Sequence, residues 1–385
     1  MRTVLLAWEL GGGFGHVVTL RHVAAPLMAR GLRCIAAVKD MESAQPLRED
    51  GISVRQAPLW KSARSSVSMG DWLGDAGLAD ASTLRKVLLG WAALLDEIKP
   101  DLVIADYAPG AGMAARGRIP LAVTGNGYTL PPAEMPFFPF LHMAAPPVWS
   151  EKHLLETTNA VLADLELQVL QRLPQIFAAD AAWVHTFPLL DPYAECRNPP
   201  AQGSLALDTS PTPREEGARQ ILVYLSSWRG RHAAILEALR PFAADVRVFA
   251  AGLSAAERAP YAATGMRFEA KPFDLARDLA AARLAVHLGS AGMAAACVFA
   301  GVPQLACATD IEKELTGKAL VKAGIGNFLR IYNPAVSLTT DAVQVLLSDH
   351  AMAQQAQAIG ADHRARYRDA DPLGAFVEAC LKLLG

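Results

Sequence analysis

Residues 286–305, VHLGSAGMAAACVFAGVPQL, place a histidine directly before a turn of small residues. His287 ends an apolar run, and Gly289, Ser290, Ala291 and Gly292 then lead into an uncharged helical stretch. Backbone N–H groups at a helix start lack intrahelical partners and carry partial positive charge. Small side chains let an anion approach them, so this turn is suited to a phosphate. A capped turn with a hydrogen-bonded core histidine is the alternative interpretation of these residues.

A second histidine, His16, lies within the glycine-rich segment AWELGGGFGHVVTL at residues 7–20, where a helix would begin. Gly12, Gly13 and Phe14 precede it as the expected acceptor loop, and the glycines keep space open in front of the imidazole. A neutral imidazole can take a proton from a substrate hydroxyl at cellular pH, and a helix N-terminus disfavours the imidazolium. The alternative is that His16 only caps the helix.

The same loop does not fit two common nucleotide-binding motifs. If Gly11 and Gly13 begin a G-x-G-x-x-G pattern, His16 occupies the last position, and there is no G-x-x-x-x-G-K here. Asp40 follows the second expected strand, where an acid could bind a ribose. An NAD-dependent dehydrogenase therefore stays open as an alternative.

Composition limits the class of protein. The chain has 385 residues, of which 52% are hydrophobic and 19% charged, so two domains with large cores are expected. The net charge of −2 argues against a nucleic-acid partner. Five scattered cysteines contain no C-x-x-C pair, which favours a reducing compartment. With no apolar run of about 18 residues and no signal peptide, we predict a cytoplasmic protein without a membrane span, and leave peripheral membrane contact open.

Expected strands alternate with expected helices along both halves of the chain. This alternation predicts an α/β protein with two doubly wound parallel sheets in domains that face one another across a cleft. We expect an N-terminal acceptor domain at 1–195, a linker at 196–219, a C-terminal donor domain at 220–365 and a returning helix at 366–385. We also expect a helix at 151–172. Residues 130–150 are rich in proline and aromatic residues, and either pack as a loop or form an apolar wall for a ligand.

The segment 286–326 resembles the signature of GT-B fold nucleotide-sugar glycosyltransferases. These are the UDP-glucuronosyl/glucosyltransferase family and, as relatives, the peptidoglycan GlcNAc-transferase group. Their pattern runs H-G-G-x-G-T, then G-V-P, then an acidic residue with Gln, then Asn. His287, Gly289, Gly292 and Glu312 match this pattern. The departures are Leu288, Ala291, Met293, Lys313 in place of Gln, and Thr316 in place of Asn.

The resemblance implies a role for each matching residue. It implies that His287 and the turn after it bind the donor diphosphate and that Glu312 binds the sugar hydroxyls. Ser226 and Ser227 match a diphosphate-binding turn, with Arg229 close by. Phe273 falls in the base-recognition region, where its ring and the backbone groups near it would contact the base. His16 then stands where the family carries its catalytic base and Asp106 where it carries the partner of that base, although Asp106 could instead cap the next helix.

The resulting prediction is a metal-independent, inverting glycosyltransferase. It would move a sugar from a nucleotide-diphosphate sugar, with a UDP-sugar as the expected donor, to a hydroxyl acceptor that is apolar or lipid-linked. No separate cofactor is expected, because the nucleotide sugar is a substrate. The alternatives are a nucleotide-sugar epimerase or hydrolase, and a non-catalytic nucleotide-sugar-binding protein of the same fold.

Overall fold

The computed structural model describes residues 1–63, 67–142, 146–205, 211–227 and 232–385. The chain divides into two compact units. The N-terminal unit comprises Met1–His185, Tyr193–Gln202 and Asp371–Gly385, and the C-terminal unit comprises Thr186–Pro192 and Gly203–Ala370. Part of the segment expected as a linker, residues 206–210, lies outside the described residues.

The N-terminal unit is built on a parallel sheet of six strands in the order β3-β2-β1-β4-β5-β6. Its central strands are short apolar runs buried along their length, as expected for a sheet covered on both faces. The strands are β1 (Thr3–Trp8), β2 (Arg33–Val38), β3 (Ser53–Gln56), β4 (Leu102–Asp106), β5 (Leu121–Gly125) and β6 (Ala181–Val184).

The helices of this unit begin and end where local chemistry dictates. Asp80 caps the long amphipathic helix by accepting from the N–H groups of Ser82 and Thr83, and Lys99 ends it in a left-handed conformation. The helices are α1 (Gly15–Ala29), α2 (Gln45–Glu49), α3 (Met69–Leu73), α4 (Ala81–Ile98), α5 (Pro109–Ala115) and α6 (Glu151–Asp164), followed near the chain end by Pro372–Leu384.

Two of these helices bear on the sequence-based expectations. The helix expected at 151–172 ends at Asp164, because residues 165–172 turn back and Leu167 N–H bonds the Leu162 carbonyl. The helix Pro372–Leu384 packs against α1 and β6, where the rings of Phe376 and Trp183 lie 5.7 Å apart. It is therefore part of the N-terminal unit.

The C-terminal unit repeats the same plan. Its parallel sheet has the order β12-β11-β10-β7-β8-β9. The strands are β7 (Gln220–Leu225), β8 (Val246–Ala250), β9 (Arg267–Phe268), β10 (Ala282–His287), β11 (Gln304–Ala308) and β12 (Gly326–Arg330). The described helices of this unit are α7 (Ala233–Leu239), α8 (Ala255–Ala262), α9 (Leu275–Asp278), α10 (Ala291–Ala300), α11 (Ile311–Lys322), α12 (Thr340–Ser348) and α13 (His350–Arg366). The helix Pro372–Leu384, which belongs to the N-terminal unit, is α14.

The strand order reverses once in each sheet. The reversal lies between β1 and β4 in the first sheet, where Trp8 pairs with Asp106. It lies between β7 and β10 in the second, where Tyr224 pairs with His287. Open α/β sheets bind ligands beyond the carboxyl ends of the strands at such switch points. The expected site residues therefore lie where this architecture places ligands.

Candidate active site

His16 and Asp106 meet at the switch point of the N-terminal sheet. His16 lies in the first turn of α1, and Asp106 is the last residue of β4. His16 Nδ1 lies 3.1 Å from Asp106 Oδ2, and the side chains are 12% and 2% exposed. Because an ionised carboxylate only accepts hydrogen bonds, it favours the tautomer with hydrogen on Nδ1 and leaves Nε2 as an acceptor.

Gly11 allows the His16 ring to lie directly against the glycine-rich loop. A Cβ atom at this position would lie 2.6 Å from His16 Nε2, and the backbone φ of +73° also disfavours any other residue. Within the described part of the chain, no residue hydrogen-bonds Nε2. The close approach of Gly11 to the His16 ring could not be predicted from the sequence, since it depends on how the loop folds back.

The expected acceptor loop is exposed. Gly12, Gly13 and Phe14 all face solvent, and Gly13 has a φ of +85° with nothing near the place of its missing Cβ. Lys39 Nζ donates to the Gly11 carbonyl at 2.7 Å and so anchors the start of the loop. Burial lowers the pKa of this lysine.

A buried carboxyl group ties the end of β1 to the turn that follows β4. Glu9 accepts from Trp91 Nε1 and from the N–H of Gly110, in the first turn of α5. Burial raises the pKa of Glu9 to about 7, against the opposing effect of these hydrogen bonds. A Cβ at Gly110 would lie 2.8 Å from the carboxylate, so that glycine is required by the close approach.

A further imidazole, that of His185, lies near the His16–Asp106 pair and was not among the residues predicted from the sequence. It follows β6, its backbone N–H donates to the Gly125 carbonyl, and its Nε2 lies 3.4 Å from Thr19 Oγ1. Desolvation lowers its pKa to about 4, although the Asp106 carboxylate acts in the opposite direction. His185 is therefore neutral at physiological pH.

In the C-terminal unit, His287 is wholly buried behind its turn. Its Nδ1 accepts from the Gly289 N–H at 3.0 Å, which places the ring hydrogen on Nε2, and Nε2 donates to Gln304 Oε1 at 3.0 Å. Burial lowers the pKa of His287 to about 4. The expectation that this ring donates to a diphosphate needs correction, because both nitrogens are engaged within the protein. The ring instead holds the turn in shape.

The turn itself presents backbone groups. Ser290 is the N-cap of α10 and makes no side-chain capping bond, and Gly292 is exposed with nothing near the place of its Cβ. Ala291, between them, is half-buried. The first N–H groups of this ten-residue helix therefore begin beside small, accessible residues, as the sequence predicted.

The structure brings other expected donor residues to the same edge of the sheet. Ser226 and Ser227 directly follow β7, the strand beside β10, and Ser227 is exposed. Arg229 lies outside the described residues. A Cβ at Gly289 would meet Lys313 Cβ at 2.9 Å, so the first turn of α11, with Glu312 in it, contacts the His287 turn.

Lys313 has a partner of its own. Asp310 caps α11 by accepting from the Lys313 N–H at 3.1 Å, and it also forms an ion pair with Lys313 Nζ. The lysine that replaces the glutamine of the family pattern therefore lies with its charge balanced by the helix cap.

Phe273 does not present its ring to a ligand. It is buried in the core, with the Arg247 guanidinium 5.3 Å from its ring centroid and Tyr224 at 6.3 Å. The expectation that this ring contributes to base recognition is wrong, because Arg247 and Tyr224 pack against it.

The proline-rich segment 130–150 is anchored by two carboxylates. Asp71 accepts from the N–H groups of Val148 at 2.7 Å and Trp149 at 2.9 Å, and Glu151 accepts from Phe138 at 2.7 Å. Burial raises the pKa of Glu151 to about 7. The described part of this segment, which excludes residues 143–145, leaves large apolar side chains exposed: Phe137, Phe140 and Val148.

The described residues contain neither a metal-binding cluster nor a membrane-spanning helix. Among them, no group of three or more His, Cys, Asp or Glu side chains is placed to hold a metal ion. None of the described helices is long and apolar enough to cross a bilayer.

Comparison with known proteins identifies the fold. No protein-family model matches the chain, and no curated protein matches it in sequence. Solved structures match along its length. The calicheamicin glycosyltransferase CalG4 is 20% identical with a TM-score of 0.65, and the match covers 99% of this chain and 98% of that one. The glycosyltransferase of kitacinnamycin is 18% identical with a TM-score of 0.63, over 100% and 99% of the two chains.

A third structure, the glycosyltransferase SnogD from Streptomyces nogalater, is 17% identical with a TM-score of 0.61 and full coverage of both chains. Together with the two six-stranded parallel sheets, these matches show that the chain has the GT-B fold. The fold class predicted from the sequence is therefore confirmed.

Proposed function

We propose that the protein is a glycosyltransferase that moves a sugar from a nucleotide-diphosphate sugar to a hydroxyl group of an apolar acceptor. The observation that carries the proposal is the His16–Asp106 pair at a switch point of a GT-B fold, in which Asp106 engages Nδ1 and leaves Nε2 as the acceptor. Fold alone does not define an activity, so the activity is assigned from the chemistry of this pair.

The chemistry follows from the placement of the imidazole. Asp106 accepts the Nδ1 hydrogen, and Nε2 takes the proton of the acceptor hydroxyl as its oxygen attacks the anomeric carbon. A new C–O bond forms while the bond from that carbon to the diphosphate oxygen breaks, and the nucleoside diphosphate leaves. A single displacement inverts the anomeric configuration. The Asp106 carboxylate stabilises the His16 imidazolium until Nε2 releases its proton to solvent.

The C-terminal unit supplies groups for the leaving diphosphate. The first N–H groups of α10, beside Ser290 and Gly292, are suited to diphosphate oxygens, and the hydroxyls of Ser226 and Ser227 can add donors. Fixed dipoles of this kind can stabilise the leaving-group charge without a metal ion. Glu312, in the adjoining first turn of α11, is the residue that we propose accepts hydrogen bonds from the sugar hydroxyls.

Ligands named for structures of the same fold support the substrate classes. SsfS6 from Streptomyces sp. SF2575 was solved with thymidine diphosphate, with 18% identity and a TM-score of 0.58. The rhamnosyltransferase SpnG was solved with spinosyn aglycone, with 15% identity and a TM-score of 0.60. We therefore propose a uridine or thymidine diphosphate sugar as donor. The exposed Phe137 and Phe140 favour an apolar acceptor.

A thermal-shift screen of UDP-, dTDP- and GDP-sugars tests donor binding. A true donor stabilises the folded protein by RT ln(1 + [L]/Kd). Gly292→Asp should abolish the shift, since its carboxylate would repel the diphosphate, whereas the neutral, isosteric Gly292→Asn should weaken it far less. Both side chains enter open space, so the protein without ligand should melt alike in both variants. No shift with any nucleotide sugar, or equal shifts in both variants, would contradict the proposal.

A further inference from the structure

The His16 imidazole contacts aromatic rings as well as Asp106. Its centroid lies 5.1 Å from that of Trp8 with planes 21° apart, and 6.1 Å from that of Tyr107 with planes 24° apart. Tyr107 in turn stacks on Trp72 at 5.6 Å and 27°. We call these four residues, Trp8, His16, Tyr107 and Trp72, the ring stack. Near-parallel contacts of this kind oppose rotation of the imidazole plane.

The backbone holds Tyr107 in an unfavourable conformation to make this contact. Its φ is +48°, in the left-handed region that large side chains avoid. Its carbonyl accepts from the Leu10 N–H at 3.1 Å, and the Leu10 carbonyl accepts from Trp8 Nε1 at 2.5 Å. Leu10 thus anchors the backbone of Tyr107 and the ring of Trp8, the two residues whose rings contact His16. Strain of this kind persists only where the surroundings impose it, and it is concentrated at functional sites.

The Asp106 bond alone does not fix the imidazole. A single hydrogen bond at Nδ1 leaves the ring able to tilt about that bond, and Nε2 would then move from its position against Gly11. General-base catalysis needs the accepting nitrogen within hydrogen-bond reach of the hydroxyl. A group that sets the plane of the ring is therefore required in addition to the carboxylate.

We propose that Tyr107 is a positioning residue, whose ring acts with that of Trp8 to hold the His16 imidazole in the plane that keeps Nε2 beside Gly11. The inference rests on the proposed function for its catalytic consequence. The aromatic faces also attract the imidazolium that forms when Nε2 takes up a proton.

Kinetics of three variants test the proposal. Tyr107→Leu should lower kcat roughly 10-fold, the scale of a desolvated cation–π contact together with lost orientation, and leave the donor KM unchanged. Tyr107→Phe keeps the ring and should retain the wild-type kcat. Tyr261→Leu, which removes a similarly buried tyrosine from the C-terminal unit, controls for lost packing and should leave kcat per folded molecule unchanged.

Nitrogen-15 NMR of the imidazole provides a readout that needs no turnover. At pH 9 His16 should carry its hydrogen on Nδ1 in all three proteins, because Asp106 is unchanged, whereas Tyr107→Leu alone should show exchange broadening of the ring signals as the imidazole plane moves. Ring signals in Tyr107→Leu as sharp as those of the wild type, or a wild-type kcat in that variant, overturn the proposal. If the wild type makes no glycoside, the proposed function fails, and the NMR result alone decides the role of Tyr107.

Discussion

The switch points of the two sheets share a plan and differ in what their histidines do. Both sheets have the same strand order, and a histidine lies at or just beyond a strand end at each reversal. Nε2 of His16 has no hydrogen-bond partner among the residues that the structure describes, and the side chain is 12% exposed. His287 is completely buried, with Gly289 and Gln304 bonded to its two nitrogens. Our central claim is that the imidazole of His16 contacts the substrate, whereas the imidazole of His287 shapes a turn whose backbone groups contact it.

The difference between the two histidines follows from where each lies relative to its strand. His287 is the last residue of β10, and its side chain is fully buried. His16 lies beyond β1, in the first turn of α1, after three glycines have carried the chain past the edge of the sheet. Strand ends therefore supply rigid supports, and the loops after them supply the groups that meet ligands.

The largest effect should come from His16→Ala. Loss of the general base should lower turnover about 10²- to 10⁴-fold, while the thermal shift caused by the donor stays as in the wild type. His22→Ala, on the same helix, is the matched control and should keep full turnover. Glycoside formation measured by mass spectrometry decides the outcome, and equal rates in the two variants would remove His16 from the mechanism.

Asp106→Asn should have the next largest effect. The amide can donate as well as accept, so it no longer selects the tautomer with hydrogen on Nδ1, and it carries no charge to stabilise the imidazolium. We expect turnover to fall about 10²-fold or more, with the donor KM unchanged. Steady-state kinetics check this, and a wild-type kcat would show that Asp106 only supports the fold.

His287→Ala should act on stability. It removes the partner of the Gly289 N–H and of Gln304, and leaves a cavity in the core. Unpaired buried groups and a cavity together predict a loss of about 3 kcal/mol in the free energy of unfolding. Urea denaturation measures it, with the exposed His350→Ala as control, expected within about 0.5 kcal/mol of the wild type. A wild-type stability would mean that His287 does not hold the turn.

Glu9→Gln should change the pH dependence of stability. The folded pKa of about 7 lies above the ordinary value of 4.5, so between these values the folded state binds more protons than the unfolded state. This group therefore makes the protein less stable as pH rises, by about 2 kcal/mol between pH 5 and 8. The Glu9→Gln variant has no group that titrates at this position. The difference between its free energy of unfolding and that of the wild type should therefore increase from pH 5 to pH 8. Parallel curves would contradict the assigned pKa.

Most of the fold could be predicted from the sequence, because short apolar runs alternate with helical periodicity and give a doubly wound sheet in each half. The meeting of His16 with Asp106 could be predicted too, since strands β1 and β4 were expected in one sheet. The roles of Gly11, Tyr107 and Glu9 could not. They depend on how a loop folds back over a neighbouring strand end, and local residue patterns do not contain that distance.

The errors at His287 and Phe273 have a related cause. A motif gives the position of a residue along the chain, but the direction of its side chain depends on what packs around it. Gln304 of the neighbouring strand engages the His287 ring, and Arg247 covers Phe273. Burial of this kind is decided by residues distant in the sequence.

The most direct test of the central claim is diethyl pyrocarbonate modification of the folded protein, with modified histidines located by peptide mass spectrometry. We predict rapid modification at His16, whose Nε2 is free, and none at His287 until the protein is unfolded. Modification of His287 as fast as that of His16, or a His16 that stays unmodified in the folded protein, would contradict the account.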